Sequence, residues 1–327
     1  MNAKILLVGL ASGAASAALS TALASGTLFS VFLFCFAPLP IFIAALGWRH
    51  HAGLIGTITA ALILAALPGF EIARSYALSV GIPSWWLAYL ALLGRPTDPD
   101  HPEQGMAWYP VGRLIVWTAA ISCVLVLITI AFFGGSVEDY RAALRTTFEA
   151  FLRAETGTPA GETIVLPGGG GDVERMTEIA VLALPPVAAA LWTTLALINL
   201  WVAGRVVRAS GLLARPWPDL SAFNPPALSL IAFIGGIAGS ALPGLTGFAA
   251  GVIGASFMVV YAALGLALIH AGTRGMNGRN FMLSVMYVLL ALQTWVVVIL
   301  AAIGILEFLF GLRARIAATR RPGTPPT

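Results

Sequence analysis

Long apolar runs that are almost free of charge are the dominant feature of this sequence. Asp, Glu, Lys and Arg make up 10% of the residues, and hydrophobic residues make up 59%. The run from Ile115 to Phe133, for example, contains no charged residue. A hydrocarbon layer about 30 Å thick is crossed by roughly 20 helical residues. Runs of this kind therefore predict a chain that folds with the bilayer as its solvent.

The continuity of the runs distinguishes between the two structures that can cross a membrane. Backbone groups in lipid must satisfy one another, which only helices and closed barrels achieve. Barrel strands alternate apolar and polar residues over short segments, whereas these runs are continuous. We therefore predict an all-α fold, a polytopic transmembrane helix bundle.

Nine apolar runs can be distinguished, and the arginines between them orient the chain. The runs cover about 5–24, 28–47, 52–67, 75–93, 112–133, 179–203, 227–242, 248–271 and 281–311. If the N-terminus lies on the cytoplasmic side of the membrane, most arginines also lie on that side, as the positive-inside rule requires. Nine crossings leave the arginines of the C-terminal tail outside. If the short run at 227–242 does not cross, the tail arginines lie on the cytoplasmic side, but Arg274 and Arg279 then lie on the opposite side. We predict about eight spans, or nine if the short run also crosses.

The polar stretches divide the chain into four segments. Val137, Tyr140 and Leu144 recur at three- or four-residue intervals, which predicts an amphipathic helix lying on the membrane surface. A glycine run follows that is typical of a flexible linker. The predicted segments are N-terminal membrane helices with about five spans (1–134), an extracytoplasmic amphipathic helix and Gly-rich loop (135–178), C-terminal membrane helices (179–312) and a disordered basic, Pro-rich tail (313–327).

Small residues recur at four-residue spacing along the first run. Gly9, Gly13 and Ala17 form one line, and Ala14 and Ala18 belong to another. Small side chains allow the backbones of two helices to approach closely in lipid. Two interpretations follow: these lines pack inside the chain, or they form a docking face for a partner subunit.

Few large polar groups lie at or near membrane depth, and an ionisable group there is a functional hypothesis by default. His270 ends an apolar run and is followed by Arg274, while Gln293 lies well inside the last run. Trp85 and Trp86 follow a proline, and broken helices line cavities. We predict that these five residues bind a ligand. Other roles explain the same residues: His270 can lie at the membrane interface, Gln293 can bridge two helices, and Trp85 and Trp86 can belong to the aromatic belt.

The sequence argues against an enzyme. Metal catalysis needs converging His, Cys, Asp or Glu, but the four histidines are scattered or directly adjacent, as at His50 and His51. H-E-x-x-H, G-x-S-x-G and Walker motifs are absent, and no aspartate lies in an apolar run. We predict no catalytic residue, no metal and no cofactor. The scattered arginines anchor helices and do not indicate nucleic-acid binding.

Four stretches carry a resemblance to a known family. Together they resemble the DUF2232 family of polytopic bacterial membrane proteins in its alphaproteobacterial form. The chain is also similar to YybS-type proteins and, more distantly, to the S components of energy-coupling-factor transporters. The stretches are Phe36–Pro40, Gly81–Leu90, Trp108–Arg113 and Ile269–Arg274.

The distant similarity implies a helical bundle that binds a small ligand and docks on a partner through small residues of the first helix. The number of runs departs from it, because S components usually have about six spans. We predict a bacterial inner-membrane protein of the transporter-component type that binds an unknown small solute, with membrane lipids and a partner subunit as its partners. A scaffold or assembly factor without a ligand is the alternative, and a membrane enzyme acting on lipids is the weakest one.

Overall fold

The computed structural model describes residues 3–98, 100–101, 105–132, 136–159 and 173–319. Helices dominate these residues, and the strands in them form one short antiparallel hairpin, β1 (Gly94–Pro96) and β2 (Met106–Trp108). The predicted all-α class is therefore confirmed. The helices α1 to α14 are Ala3–Thr21, Leu28–Cys35, Leu39–Trp48, His50–Ala66, Phe70–Tyr76, Ile82–Ala91, Val111–Phe132, Val137–Thr156, Val173–Ala209, Leu228–Gly239, Gly244–Gly272, Arg279–Leu292, Trp295–Phe310 and Leu312–Thr319.

Five helical segments in the described residues are long and apolar enough to cross a membrane. A sixth is added if α13 and α14, which are bent by 68°, form one broken span. This number is lower than the eight or nine runs because the third and seventh runs form the shorter helices α4 and α10, the fourth is divided between α5 and α6, and the last is divided between α12 and α13. The five segments are Ala3–Ser25, Leu28–Trp48, Val111–Thr129, Arg175–Ala209 and Gly244–Gly272.

Prolines divide two of the apolar runs into shorter helices. The second run breaks between α2 and α3, and Pro40 occupies the first turn of α3. A proline has no N–H to donate, so it disturbs helical hydrogen bonding least in the first turn of a helix. The fourth run contains a π-helical turn, Ala77–Gly81, immediately before Pro83 in α6. One wider turn therefore separates α5 from α6.

The last apolar run is two helices rather than one. α12 ends at Leu292, Gln293 is extended with φ −129° and ψ 103°, and α13 begins at Trp295. Gln293 therefore lies at the break between two helices and not within one membrane helix. Its side chain is exposed and accepts a hydrogen bond of 3.0 Å from Trp295 Nε1.

Contacts with Ser221 show how the C-terminal helices return. Arg274 donates to the Ser221 hydroxyl, and Arg313 Nη1 donates to the Ser221 carbonyl at 2.7 Å. The segment between the two arginines therefore leaves and re-enters the same end of the structure. The arginine after α11 and the arginine after α13 thus contact the same residue of the chain.

The chain forms two compact units. The first unit comprises Met1–Ile121, Thr193–Pro226 and Met258–Thr327, and the second comprises Ser122–Trp192 and Ala227–Phe257. The units interleave along the chain, whereas the predicted segments are consecutive.

Two predicted polar segments are helical in the structure. The amphipathic helix is α8, which begins where the Ser136 hydroxyl accepts from the Asp139 backbone N–H at 3.0 Å. The Gly-rich loop at 168–171 lies outside the described residues. The tail prediction is corrected for residues 313–319, which belong to α14 because Arg313 is bound by surrounding groups. Residues 320–327 lie outside the described residues.

The first helix packs against α4 in the first unit. A β-carbon on Gly9 would lie 2.7 Å from the Ile55 side chain, and one on Gly13 would lie 2.5 Å from the Gly56 carbonyl oxygen. Ala17 is buried in the same interface with Ala60 and Leu64. One small-residue line is thus covered by the chain itself, as the internal-packing interpretation expected.

The other line of the first helix remains uncovered. Ala14 and Ala18 are exposed. A partner could reach α1 through these two residues but not through Gly9, Gly13 or Ala17. The docking role itself remains a prediction.

Candidate functional site

Five rings from three helices meet in the first unit, and we call them the aromatic cluster: His50 of α4, Trp85, Trp86 and Tyr89 of α6, and Trp117 of α7. His50 lies 5.1 Å from Tyr89 and 6.5 Å from Trp85, measured between ring centroids. Trp86 lies 6.2 Å from Trp85 and 6.0 Å from Trp117. These separations are typical of aromatic pairs in contact.

Local sequence explains how the rings converge. The four-residue spacing of Trp85 and Tyr89 places both rings on one face of α6. Arg49 joins α3 to α4 with φ 71°, so α4 begins abruptly at His50. Trp117 Nε1 donates to the Tyr109 hydroxyl at 2.9 Å, which fixes its ring at the start of α7.

Two polar atoms in the aromatic cluster lack a hydrogen-bond partner within the described structure. They are His50 Nδ1 and Trp85 Nε1, and both are buried. Burying a polar atom without a partner costs about 1–3 kcal/mol, and such atoms in native proteins call for an explanation. A Trp N–H can only donate, while the His nitrogen donates or accepts according to its tautomer. The pair suits a ligand with a hydrogen-bond acceptor and an apolar or flat body.

The remaining predicted ligand residues do not join Trp85 and Trp86. His270 Nε2 lies 2.9 Å from the Tyr287 hydroxyl, which links α11 to α12. Arg274 bonds Asp219 at 3.0 Å. Gln293 is at the α12–α13 break. The five residues therefore occupy three separate places in the first unit, and the ligand-binding role of each remains a prediction.

The connector, residues 210–226 between α9 and α10, gathers basic side chains. Arg215 Nη1 donates to the Ala91 carbonyl at 2.9 Å, and its guanidinium carbon lies 5.9 Å from the Trp108 ring centroid. Burial lowers the pKa of Arg215. Arg274 and Arg313 contact the same connector through Ser221.

A groove in the second unit is a different kind of candidate site. It is open, has a volume of about 300 Å³ and is almost entirely apolar. Tyr140, which lines it, also contacts the Phe248 ring at 5.4 Å. Its size is at the lower limit for small-molecule sites, but few polar groups are available to orient a ligand. The lining residues are Val126, Thr129, Tyr140, Leu144, Thr147, Leu184, Pro185 and Ala188.

Metal chemistry has no visible donor set in the part of the chain that the structure describes. No group of three or more His, Cys, Asp or Glu side chains converges there. His50 and His51 stack, with ring centroids 3.9 Å apart, and this pair has no carboxylate or thiol beside it to complete a metal site within the described residues.

Sequence reasoning identified Trp85 and Trp86 but missed the rest of the aromatic cluster. Tyr89 could have been found, because Trp-x-x-x-Tyr spacing places both rings on one helix face. His50 and Trp117 carry no local signal, since only the packing of α4 and α7 against α6 brings them there.

A family model described as "Predicted membrane protein (DUF2232)" matches residues 14–307. No curated protein matches the chain, and no solved structure matches it. The matched region includes every residue of the aromatic cluster and the connector.

Proposed function

Because the chain belongs to the DUF2232 family of predicted membrane proteins, we propose that it is a membrane component that binds a small solute between helices α4, α6 and α7. It acts without catalysing a reaction and functions as part of a transport system in the cytoplasmic membrane of a bacterium. The solute carries a hydrogen-bond acceptor and an apolar or aromatic body.

The observation that carries this proposal is the pair of unpartnered buried atoms, His50 Nδ1 and Trp85 Nε1. A binding site of this type combines apolar walls with a few polar groups that orient the ligand. The aromatic cluster supplies both elements. A bound acceptor atom would satisfy at least one of the two atoms and so offset part of their burial cost.

A partner subunit, if one docks on the first helix, contacts its exposed line. Ala14 and Ala18 are the residues available to it, because α4 covers Gly9, Gly13 and Ala17. Small exposed residues favour close approach of a second helix in lipid. The transporter-component hypothesis predicts that a partner helix contacts these two residues.

The experiment is a thermal-shift screen of the purified full chain against vitamins, lipids and metal ions. Any compound that raises the melting temperature is then titrated against Trp85→Phe, which keeps a ring but removes the indole N–H. We expect Trp85→Phe to weaken binding roughly tenfold, the effect of losing a hydrogen bond that leaves a buried group unpaired. Trp295→Phe is the matched control, because its indole N–H donates to Gln293 at the α12–α13 break.

Three outcomes contradict the proposal. If no compound stabilises the protein, the scaffold without a ligand is favoured. If Trp85→Phe and Trp295→Phe weaken binding equally, the aromatic cluster is not the site. If binding is abolished instead by Ala188→Trp, which fills the groove of the second unit, and not by Ala183→Trp on the same helix outside that groove, the ligand binds in the groove.

A further inference from the structure

Two arginines near the end of α9 share one indole ring. The guanidinium carbon of Arg208 lies 5.4 Å from the Trp217 ring centroid, and that of Arg205 lies 6.0 Å from it. Arg205 also lies 5.7 Å from the Trp201 ring. Trp217 packs over Gly204, where a β-carbon would lie 3.1 Å from the indole. The absence of a side chain at Gly204 lets the ring lie between the two arginines.

The charges of these arginines are not neutralised by the protein within the described residues. Neither Arg205 nor Arg208 forms an ion pair there, and both are exposed. Asp219, the carboxylate closest to Trp217 in sequence, is bound to Arg274 and Ser221. One indole attracts an exposed cation only weakly, so two neighbouring positive charges remain available to an anion.

The geometry favours a phosphate as that anion. An arginine whose face lies over a ring keeps its N–H groups free at its edge, and these groups match two phosphate oxygens. Arg205 and Arg208 are three residues apart on α9, so they lie on the same helix face. A single phosphate can therefore bridge both guanidinium groups.

The position of Arg205 and Arg208 at the end of an apolar span indicates a lipid as the source of the phosphate. The span Arg175–Ala209 ends directly after Arg208, which is the level of lipid headgroups. Trp201 lies two turns earlier in α9 and is 47% exposed, as expected for an indole at the membrane interface. We propose that Arg205, Arg208 and Trp217 form a binding site for the phosphate of an anionic phospholipid. A zwitterionic headgroup fits less well, because its ammonium group would meet a second arginine.

The test uses the purified full chain in a neutral detergent, titrated with phosphatidylglycerol or phosphatidylcholine and followed by native mass spectrometry. We expect wild type to retain phosphatidylglycerol preferentially. The double variant Arg205→Gln/Arg208→Gln should weaken that retention roughly tenfold or more. The control Arg95→Gln/Arg113→Gln removes the same charge from exposed residues, one in the hairpin whose Trp108 lies beside Arg215 and one at the start of α7, and should bind like wild type.

Two further arms separate the proposal from simpler explanations. Arg205→Lys/Arg208→Lys keeps the charge but loses the planar donors, and we expect it to lose most of the preference. Wild-type retention in this variant would overturn the site, as would equal losses in the two glutamine double variants. If inorganic phosphate competes as well as the lipid does at equal concentration, the lipid source is wrong. A melting temperature equal to that of wild type, measured for every variant in phosphatidylcholine, shows that the fold is intact.

Discussion

Arg313 and Glu307 form a buried ion pair in which Nε donates to Oε1 at 2.6 Å, with the two side chains only 11% and 4% exposed. The Arg313 backbone N–H donates to the other carboxylate oxygen at 2.9 Å. The remaining guanidinium nitrogens donate to the carbonyls of Ser221 and Phe223 and to Asn224 Oδ1. One arginine therefore ties the end of α13 to the connector.

Loss of the Glu307 charge should destabilise the protein strongly. Breaking a buried pair leaves an uncompensated charge and costs about 3–5 kcal/mol, so we expect Glu307→Gln to lower the free energy of unfolding by an amount of that order. The measurement is denaturant unfolding in detergent. Glu149→Gln is the control, because the Arg145–Glu149 pair is exposed and should contribute about 0.3–0.5 kcal/mol. Similar losses in both variants would contradict the role of burial.

Glycines at the contact of α11 with α13 should not tolerate even a methyl group. A β-carbon on Gly304 would lie 1.9 Å from the Tyr261 carbonyl oxygen, and one on Gly265 would lie 2.0 Å from the Leu300 carbonyl oxygen. The helices must separate to accept it, so Gly304→Ala should cost about 1–3 kcal/mol or more. Gly272→Ala, where nothing lies within 4 Å, should be close to neutral. Melting temperatures of the two variants test the difference.

Substitution of two neighbouring alanines of α1 by leucine should destabilise the protein at one position and not at the other. Ala17 is 1% exposed against α4, so Ala17→Leu overpacks the interface and should lower stability by about 1–3 kcal/mol. Ala18 is exposed, so Ala18→Leu should leave the melting temperature of the isolated protein unchanged. If Ala18→Leu also disrupts a complex formed in cells, the exposed line is a docking face. Unfolding caused by Ala18→Leu would show that the line is covered.

The Tyr287 hydroxyl should hold α12 in place. α12 contributes no buried residue, and the His270–Tyr287 contact of 2.9 Å links it to α11. We expect Tyr287→Phe to speed amide hydrogen exchange across α12 with little change in global stability, because local opening requires few contacts to be lost. Tyr109→Phe, which removes a hydroxyl bonded to Trp117, should leave exchange in α12 unchanged.

Asp219 should make the connector sensitive to acid. The hydrogen bond from the Ser221 hydroxyl, together with Arg274, holds the pKa of Asp219 below its ordinary value of 3.8. Because the folded-state pKa is the lower one, the stabilisation is complete above about pH 3.8 and is lost as the pH falls through the folded value. Both side chains of the Arg274–Asp219 pair are about half exposed, so the effect should not exceed about 1 kcal/mol.

The control for this pH effect is Asp219→Asn. It should lack the loss of stability that wild type shows as the pH falls below about 3.8. If wild type and Asp219→Asn lose stability in parallel below that pH, other carboxylates account for the acid response.

Helix content was predictable from the sequence, but the break inside the last apolar run was not. The apolar run through Gln293 has neither Pro nor Gly beside the break, so no local rule places a turn there. Helices α12 and α13 form a hairpin whose two ends are identified by the contacts of Arg274 and Arg313 with Ser221. The two arginines are separated from Ser221 by 53 and 92 residues. Only tertiary structure contains that information.

The candidate site was predictable only in part for the same reason. Trp85 and Trp86 were identified from a proline break, which is a local signal. His50 enters the aromatic cluster through packing of α4 on α6, and its partnerless nitrogen is visible only when burial is known. Conversely, Gly9 and Gly13 have the spacing of a docking face, but the sequence does not reveal whether the partner helix belongs to the same chain.

The bonds from Arg313 to the connector have a consequence for how the protein is made. Ser221 leaves the ribosome long before Arg313 does, because the two are 92 residues apart. The connector is therefore tethered only after the final helical hairpin has been synthesised and inserted. Until then Glu307 has no cationic partner from the tail. A chain cut short before Arg313 would carry an unneutralised carboxylate within an apolar helix, so the last helix is stabilised only once the residues that follow it have been made.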